Sequence, residues 1–311
     1  MKVIHFFKHR YIYFAISLFI ILGGLAAALI NGITLDIQFQ GGSILKYSYV
    51  GTINSEEAGS LVQTALGKSA SGQEQTISAT GDQLLIISLA GNEAITSQEQ
   101  ETVTATLTKE YPDAQLKLSQ SLSVQPFTGA RFFKNGMLAI FLAFALILVY
   151  VGYRFKKIGG FSAGLMAIVA LFHDAFVVTA TFIVFKIPLN DAFIASILTV
   201  IGFSINDTIV IYDRIRENRT VMGSKTSTEE LVDTSITQSM SRSINTTVAV
   251  LASITIVYIF ALIYNIETIK NFALPMMCGV ITGCYSTICI AGPLWTMWKN
   301  HEQKSKKTKR A

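Results

Sequence analysis

Long uninterrupted runs of apolar residues dominate the chain. Six of them are about 20 residues or longer, the length that a helix rising 1.5 Å per residue needs to cross a hydrocarbon core of about 30 Å. The first run ends without a small-residue cleavage site, so we interpret it as an uncleaved anchor rather than a signal peptide. The pattern predicts an α-helical membrane protein with six transmembrane helices, at Tyr11 to Ile30, Asn135 to Tyr153, Gly160 to Phe185, Asp191 to Tyr212, Ile244 to Tyr264 and Phe272 to Trp298.

The stretch between the first and second runs has a different pattern. Ile37 to Tyr49 and Leu84 to Leu89 are strand-like, whereas Ser55 to Leu66 and Ser97 to Glu110 have helical spacing with Ser at the expected N-caps. Short strands near Thr76 and from Ala114 to Val124 complete the order β-α-β-β-α-β. This order predicts a ferredoxin-like α+β domain. The predicted units are therefore residues 1–30, 31–130, 131–298 and 299–311.

Composition and charge agree with a chain that meets two environments. Of 311 residues, 51% are hydrophobic and only 14% are charged, against about 25% charged residues in a soluble domain. Residues 31–130 contain four Lys against ten Asp and Glu, a net −6, so the rest of the chain carries +11. The basic residues cluster at the ends of apolar runs, as topology determinants do, rather than as a nucleic-acid-binding surface. These clusters predict that both termini are cytoplasmic and that the α+β domain is extracytoplasmic. The clusters consist of Lys2, Lys8 and Arg10; Arg154, Lys156 and Lys157; Arg214, Arg216, Arg219 and Lys225; and Lys304, Lys306, Lys307, Lys309 and Arg310.

Little in the sequence indicates an enzyme. Cys278, Cys284 and Cys289 share one apolar run without metal-ligand spacing, so we expect neither disulfides nor a metal site. Gly160 to Gly164 matches the GxSxG pattern of serine hydrolases, but Ser162 and His173 would lie roughly 16 Å apart along one helix. We interpret these glycines, like Gly279 and Gly283, as GxxxG packing faces. No cofactor is expected.

Five ionisable residues fall within or near the apolar runs, where a charge costs roughly 3 kcal/mol or more. Asp213 lies beside Arg214 and Arg216, and we place it at the interface. Asp207 lies deeper, among isoleucines, and has no such explanation. The other three are His173, Asp174 and Arg242.

Helical spacing suggests a partner for Asp207. It shares a face with Ser204 and Arg214, while Arg242 shares a face of the next span with Ser239 and Thr246. Packing these faces together pairs Asp207 with Arg242, and the sequence leaves a static salt bridge and a proton relay equally open.

His173 and Asp174 lie deep in the third run. They could form a second relay or hydrogen-bond to adjacent helices, and we favour the structural alternative. Counting from the span ends puts Asp174 and Asp207 at different depths, which predicts that they do not share one site.

Several segments are specific enough to name a family. Gly202 to Asn218 (GFSINDTIVIYDRIREN) closely resembles the signature of the SecF family of bacterial protein-export membrane proteins. Ala170 to Asp174, Ser239 to Thr246, Gly279 to Thr287 and Gln40 to Ser43 support the resemblance in the same order. The similarity covers nearly the whole chain.

The resemblance implies a role in protein translocation, within the resistance-nodulation-division superfamily. It implies SecD, the SecYEG channel and an emerging preprotein as partners in the lipid bilayer, with protons as the coupling ion. It assigns the key carboxylate to Asp207, in the motif that also holds Ser204 and Asn206, and a functional Arg to Arg242. One departure is Gln38, where the family usually has Asp, with Asp36 displaced.

Two alternatives to proton-coupled translocation stay open at this point. One is a small-molecule or lipid exporter of the same superfamily, because a fold does not fix its cargo. The other is a passive scaffold of the translocase. The basic tail from Lys299 to Arg310 is interpreted as a topology anchor beside an anionic leaflet.

Overall fold

The structure is a computed structural model that describes residues 3–76, 83–90, 95–124, 126–223, 226–264 and 266–308. Lys2, Lys225, Lys309 and Arg310 of the basic clusters lie outside these residues. The helices are α1 Arg10–Asn31, α2 Ile37–Gln40, α3 Ser55–Leu66, α4 Ser97–Glu110, α5 Pro126–Arg154, α6 Gly160–Val184, α7 Asp191–Val221, α8 Thr228–Ile263, α9 Glu267–Ser286 and α10 Gly292–Thr308. The strands are β1 Gly42–Tyr49, β2 Ala70–Thr76, β3 Gln83–Ala90 and β4 Lys117–Val124.

Six helices in the described part of the chain are long and apolar enough to cross a membrane, which confirms the predicted number. They are α1, α5, α6, α7, α8 and a last span in which α9 and α10 are continuous. Several of the helices extend beyond the apolar runs: α5 begins at Pro126 rather than Asn135, and α10 continues to Thr308 rather than Trp298. α7 continues to Val221, and α8 begins at Thr228, where the Ser227 side chain accepts from Glu230 N. Hydropathy detects only the part of a helix that lipid surrounds, so it misses these polar ends.

α6 is the most buried of the long helices and lies at the centre of the bundle, and α7 and the last span are buried to the same lesser extent. Both predicted glycine faces are packing faces. A Cβ on Gly164 would contact Leu148 of α5, and a Cβ on Gly279 would collide with Val178 of α6 and Val200 of α7. The GxSxG serine has a structural partner, because Ser162 Oγ donates to Gly159 O at 2.8 Å and lies on the same helix as His173.

The last span is irregular at Thr287–Ala291, which forms a π-helical segment between α9 and α10. Such a segment adds a residue to one turn and changes the direction in which neighbouring side chains point. All five of its residues are buried. It therefore places consecutive hydroxyl side chains inside the bundle, at Ser286 and Thr287.

The domain between the first two spans has the predicted ferredoxin-like topology. Its four strands are all antiparallel and follow the order β2-β3-β1-β4. Alternate residues of β1, including Leu45 and Tyr47, are fully buried beneath α3 and α4 together with Val62 and Leu107. Buried residues recur at every second position of β1 and about every 3.6 positions of the helices, and these two buried faces pack together to form the core.

Three local predictions in this domain are wrong. Ile37–Gln40 is a helical turn, because Gly41, with φ of 82°, separates it from β1, whose first residue Gly42 has φ of 143°. β4 begins at Lys117 rather than Ala114, because Pro112–Ala114 forms a 3-10 turn. The N-caps are Asn54 and Thr96 rather than serines, and Thr96 forms a reciprocal capping box with Glu99.

A short joint connects the domain to the bundle. Asp36 N donates to Leu189 O at 2.9 Å, and Leu189 N donates to Thr34 O at 2.9 Å, so the chain after α1 pairs with the α6–α7 connection. The Gln38 side chain accepts from Asp191 N at 3.3 Å at the start of α7. Burial, reinforced by Asp191, raises the pKa of Asp36 above its ordinary value despite the bond from Gln38 N.

Candidate functional site

Asp207 lies in the middle of the polar residues that the bundle encloses. Asn190 caps α7 by accepting from Ala192 N at 3.0 Å, and the helix then runs unbroken through the motif. Asp207 is 2% exposed, and Ile205 and Ile211 of the same helix are also buried. A carboxylate in this position requires compensation from neighbouring helices, because lipid and isoleucine provide none.

α8 supplies the groups that face this carboxylate, Ser243 and Arg242. No hydrogen bond of normal geometry joins them to it. Asp207 Oδ2 and Ser243 Oγ are both buried without a hydrogen-bond partner among the described residues. No ion pair between Asp207 and Arg242 within 4.0 Å occurs there either. The predicted pairing is therefore corrected: the two residues are brought together but do not form a closed salt bridge.

Arg242 itself is exposed on the surface of the chain, as is Asn206 of α7. Thr246, predicted to share its face, is half-buried and donates to Arg242 O at 2.9 Å. This local bond to the helix backbone satisfies the hydroxyl without the Arg242 side chain. The Thr246 hydroxyl therefore does not hold the Arg242 guanidinium.

Asp174 is the best-satisfied carboxylate of the bundle, with no exposed surface. Its Oδ2 accepts from Ser204 Oγ and from Ser286 Oγ, both at 2.7 Å, and its Oδ1 is 3.3 Å from His173 Nδ1. Gly283 lets α9 approach closely, since a Cβ there would lie 3.1 Å from the Ser204 Cβ. Three helices, α6, α7 and α9, therefore meet at this carboxylate.

That Asp174 and Asp207 do not share one site stays a prediction, because no hydrogen bond among the described residues joins the two carboxylates. Asp174 bonds to Ser204, only three residues before Asp207 on α7. Two further hydroxyls contact the backbone of Ser204 rather than its side chain. Thr208 Oγ1 lies 3.0 Å from Thr287 Oγ1, and both hydroxyls donate to Ser204 O.

His173 connects this network to a cavity. Its Nε2 is buried without a hydrogen-bond partner among the described residues. The side chain borders a cavity of about 760 Å³ between α1, α5, α6 and α7, lined almost entirely by apolar groups such as Phe144 and Phe172. His173 is the polar exception, together with Ser17 and Thr179.

Asp213 is located at the bundle end, as predicted. Its Oδ1 is 2.8 Å from Arg216 Nη2 and 3.3 Å from Arg154 Nη2, with 37% of its side chain exposed. Arg214 donates to Gln238 Oε1 and Glu217 Oε2 instead of pairing with Asp207. These ion pairs fix the ends of α5 and α7 and leave Asp207 alone in the interior.

Sequence reasoning missed Ser286, Thr208 and Thr287, whose hydroxyls complete the network, and Ser243, which faces Asp207. Ser286 lies three residues after Gly283, on the helix of the glycine face. That spacing was the available signal, because a close helix contact brings any hydroxyl on it toward the facing helix. Ser243 had no signal beyond its place next to Arg242.

Comparison with known proteins gives consistent matches. The family model described as Protein export membrane protein SecD/SecF, C-terminal, matches residues 102–301. The protein translocase subunit SecF of Alicyclobacillus acidocaldarius is 31% identical over 294 residues, covering 94% of this chain and 92% of the relative. SecF of Helicobacter pylori strain J99 is 30% identical and covers 100% of this chain and 94% of its own. The SecDF subunit of Bacillus subtilis is 36% identical over 184 residues, or 58% of this chain and 24% of the relative.

Solved structures give the same fold. The crystal structure of SecDF from Thermus thermophilus superposes with a TM-score of 0.79 at 24% identity over 96% of this chain. A SecDF structure in a Super-membrane-facing form gives a TM-score of 0.70 at 25% identity over 100% of this chain. The chain spans 39% and 40% of those two longer chains.

Proposed function

The chain belongs to the SecD/SecF family of protein-export membrane proteins, and from that premise we propose that it uses proton movement through Asp207 to promote preprotein transport. It is an accessory subunit of the Sec protein translocase and a multi-pass protein of the cell membrane. The proton-motive force, the orientation and the roles of single residues are parts of the proposal.

One observation carries the proposal: Asp207 is buried in a membrane span, and its Oδ2 has no hydrogen-bond partner among the described residues. Burying such a group costs more free energy in its charged form than in its protonated form, so a change in its surroundings makes it bind or release a proton. Arg242 supplies that change. Its approach favours the charged carboxylate, and its withdrawal favours the protonated one.

The remaining polar residues provide the path and the frame. Ser204 links Asp207's helix to Asp174, and His173 stands at the far end of that network. Hydroxyl groups both donate and accept, so Ser204 can pass a proton to Asp174, and the mechanism requires a bond between Ser204 and Asp207 to form when Asp207 exchanges its proton. Asn206 and Thr246 flank the path, and Asp213 holds its end in place through ion pairs. Protons are the only cofactor this mechanism requires, and it includes no enzymatic step.

SecD is the partner that fits the polar surface of α7 and α8. A SecDF subunit in which both units form one chain is among the relatives, which supports association with a SecD-type partner. Asn206 and Arg242 are exposed at membrane depth, where lipid contact is unfavourable. A SecD-type bundle covering this surface would satisfy both and enclose Asp207.

The orientation follows from the basic clusters. In this proposal both termini are cytoplasmic, and the acidic α+β domain lies outside, where it meets preprotein leaving the SecYEG channel. Movement at Asp207 reaches that domain through α7, since the α6–α7 connection pairs with the joint at Leu35.

The decisive experiment replaces Asp207 by Asn in the complex with its SecD-type partner. We expect proton conductance of reconstituted vesicles to fall to background and the stimulation of reporter export to be lost, because Asn cannot titrate. Glu217→Gln is the matched control, since Glu217 is an exposed carboxylate of the same helix that pairs only with Arg214. Conductance and export that equal those of Glu217→Gln would refute the proposal.

The alternatives predict other results. A passive scaffold keeps full export with Asp207→Asn and loses it only when the chain is deleted. The small-molecule exporter loses its support, because both the family model and the full-length relatives are protein-export subunits.

A further inference from the structure

A small cavity lies at the end of the bundle opposite the α+β domain, outside the network around Asp207. Its volume is about 220 Å³, and it is enclosed by the start of α6, the end of α7, the start of α8 and the first turns of α10. The share of one water in the liquid is about 30 Å³, so the space exceeds that of a few waters. The residues that matter for its chemistry are Lys157, Gly159, Arg219, Thr228, Trp295 and Lys299.

The lining is strongly basic. It includes three cations, Lys157, Arg219 and Lys299, and a single carboxylate, Glu302. Lys299 Nζ is 2.9 Å from Glu302 Oε2, which neutralises one of the three. Lys157 and Arg219 form no ion pair with any described residue, although other arginines at this end of the bundle do. Two uncompensated positive charges therefore border a concave space.

Trp295 contributes an unused donor. It is 2% exposed, and its Nε1 is buried with no acceptor among the described residues. A buried tryptophan N–H normally has a hydrogen-bond partner, because leaving it unpaired is costly. Trp295 borders the cavity, and its N–H reaches an acceptor there once ligand binding shifts the indole, because the nitrogen itself is closed to a water-sized group in this structure.

Backbone and hydroxyl groups add further donors. α6 begins at Gly160, next to the lining residue Gly159, and no side chain caps it, so the positive end of its dipole lies near this region. Thr228 Oγ1 accepts from Gln303 Nε2 at 3.2 Å, which leaves its proton available. Gly159 has a φ of 92°, and a Cβ there would collide with Lys299 Nζ, so the glycine keeps room for the ammonium group.

We propose that this cavity binds the phosphate group of an anionic ligand, held by Lys157, Arg219, Lys299 and the Trp295 N–H. Donors converge here from three helices and a loop, and a tetrahedral phosphate accepts from several directions at once, which suits it better than a single carboxylate. The position at the membrane surface offers two sources of this group, the headgroup of an anionic phospholipid and a soluble phosphate compound. Both satisfy the same donors.

The chain contains only two tryptophans, which gives a direct readout. Trp298 is 46% exposed, so Trp298→Phe leaves Trp295 as the sole tryptophan without disturbing the core. This full-length chain is placed in nanodiscs of phosphatidylcholine, and Trp295 emission is recorded during titration with inorganic phosphate. The lipid source is tested by replacing part of the phosphatidylcholine with phosphatidylglycerol, with native mass spectrometry to count retained anionic lipid.

The test variant carries Lys157→Gln and Arg219→Gln in addition to Trp298→Phe. Each basic residue near an anionic group is worth roughly a fewfold to tenfold in affinity, so we expect the pair to weaken binding by about tenfold or more. Lys156→Gln is the control, because Lys156 is the adjacent cation of the same loop but does not border the cavity. It should bind like the parent.

The outcomes separate the sources. Saturation by inorganic phosphate in phosphatidylcholine indicates a soluble ligand, and a response to phosphatidylglycerol that phosphate does not reproduce indicates a headgroup. No change of Trp295 emission with either source overturns the proposal. So does equal affinity of the double variant and Lys156→Gln when both unfold at the parental temperature. Neither result depends on proton conductance, so the experiment can refute the phosphate site without refuting the proposed role of Asp207, and the Asp207→Asn experiment can refute that role without refuting the phosphate site.

Discussion

At the scale of residues, the two buried carboxylates of α6 and α7 have opposite surroundings. Asp174 accepts from two serines and lies beside a histidine, whereas Asp207 Oδ2 has no hydrogen-bond partner among the described residues. The serine bonds tie Asp174 to α7 and α9, so this carboxylate is suited to ordering the helices. In the proposal above, Asp207 is the carboxylate that exchanges a proton.

The serines at Asp174 should therefore matter for stability. In the double variant Ser204→Ala/Ser286→Ala the buried carboxylate keeps only its contact with His173. We expect unfolding in detergent to require about 1–3 kcal/mol less, since bonds to charged groups are strong but are worth less in membranes than in water. Ser253→Ala is the control, because Ser253 is exposed and donates only to Ala249 O of its own helix. Equal thermal midpoints for the two variants would contradict this role.

At the scale of elements, the close contact of α9 with α6 and α7 makes the network possible. Hydroxyls on three helices can reach one carboxylate only if the helix axes approach closely, and glycines permit that approach. Gly279 and Gly283 provide it on α9, and the π-helical segment that follows turns Thr287 toward Ser204. The packing and the polar network thus depend on the same turns of helix.

Adding a side chain to this contact tests the dependence. Gly279→Val places methyl groups against Val178 and Val200, and we expect a loss of about 1–3 kcal/mol or more together with reduced export. Gly23→Ala is the counterpart, because nothing lies within 4 Å of a Cβ there. It should be neutral or slightly stabilising, as alanine favours a helix over glycine. Thermal unfolding and a reporter-export assay measure both, and parental values for Gly279→Val would exclude the tight contact.

At the scale of the whole molecule, the α+β domain is attached to the bundle by hydrogen bonds as well as by the chain. The pairing of Leu35 with Leu189 and the bond from Asp191 N to Gln38 join it to the start of α7, the helix of Asp207. Gln38 occupies the position where the family usually has a carboxylate, and it acts here as a cap of α7. Asp36 is the ionisable group of this joint.

The joint should be sensitive to pH. Folding raises the pKa of Asp36, chiefly by burial, so the folded protein holds that proton more tightly than the unfolded chain. The associated stability is complete below the ordinary pKa of 3.8 and is lost as pH rises through the raised value. Asp36→Asn keeps the acceptor for Gln38 N and removes the charge. We expect its thermal midpoint to exceed the parental one by the order of 1 °C at neutral pH and to equal it near pH 4.

Asp113→Asn serves as the reference for that measurement, because Asp113 is an exposed carboxylate of the same domain. It should follow the parental pH dependence. A midpoint of Asp36→Asn that is parental or lower at neutral pH would show that the charged form is the stable one.

The sequence by itself determined the features that depend on composition and period. Twenty apolar residues must form a helix in lipid because the backbone has no other partners there, so the number of spans could be read directly. Alternation fixed β1 and β3, and helical spacing fixed α3 and α4 to the residue. Asp207 and Arg242 stood out because charge is rare at membrane depth. The motif around them was specific enough to indicate the family.

Only the tertiary structure decided which polar groups meet. Helix depth and rotation are set by packing, and the sequence holds no local signal for them. The sequence favoured bonds from His173 and Asp174 to adjacent helices, but it did not identify Ser204, Ser286 or Thr287 as the partners, nor that Arg242 would face Asp207 without forming an ion pair. Pairing across helices is a long-range property that glycine contacts and one π-helical turn select, whereas length and periodicity are local and remain visible in the sequence.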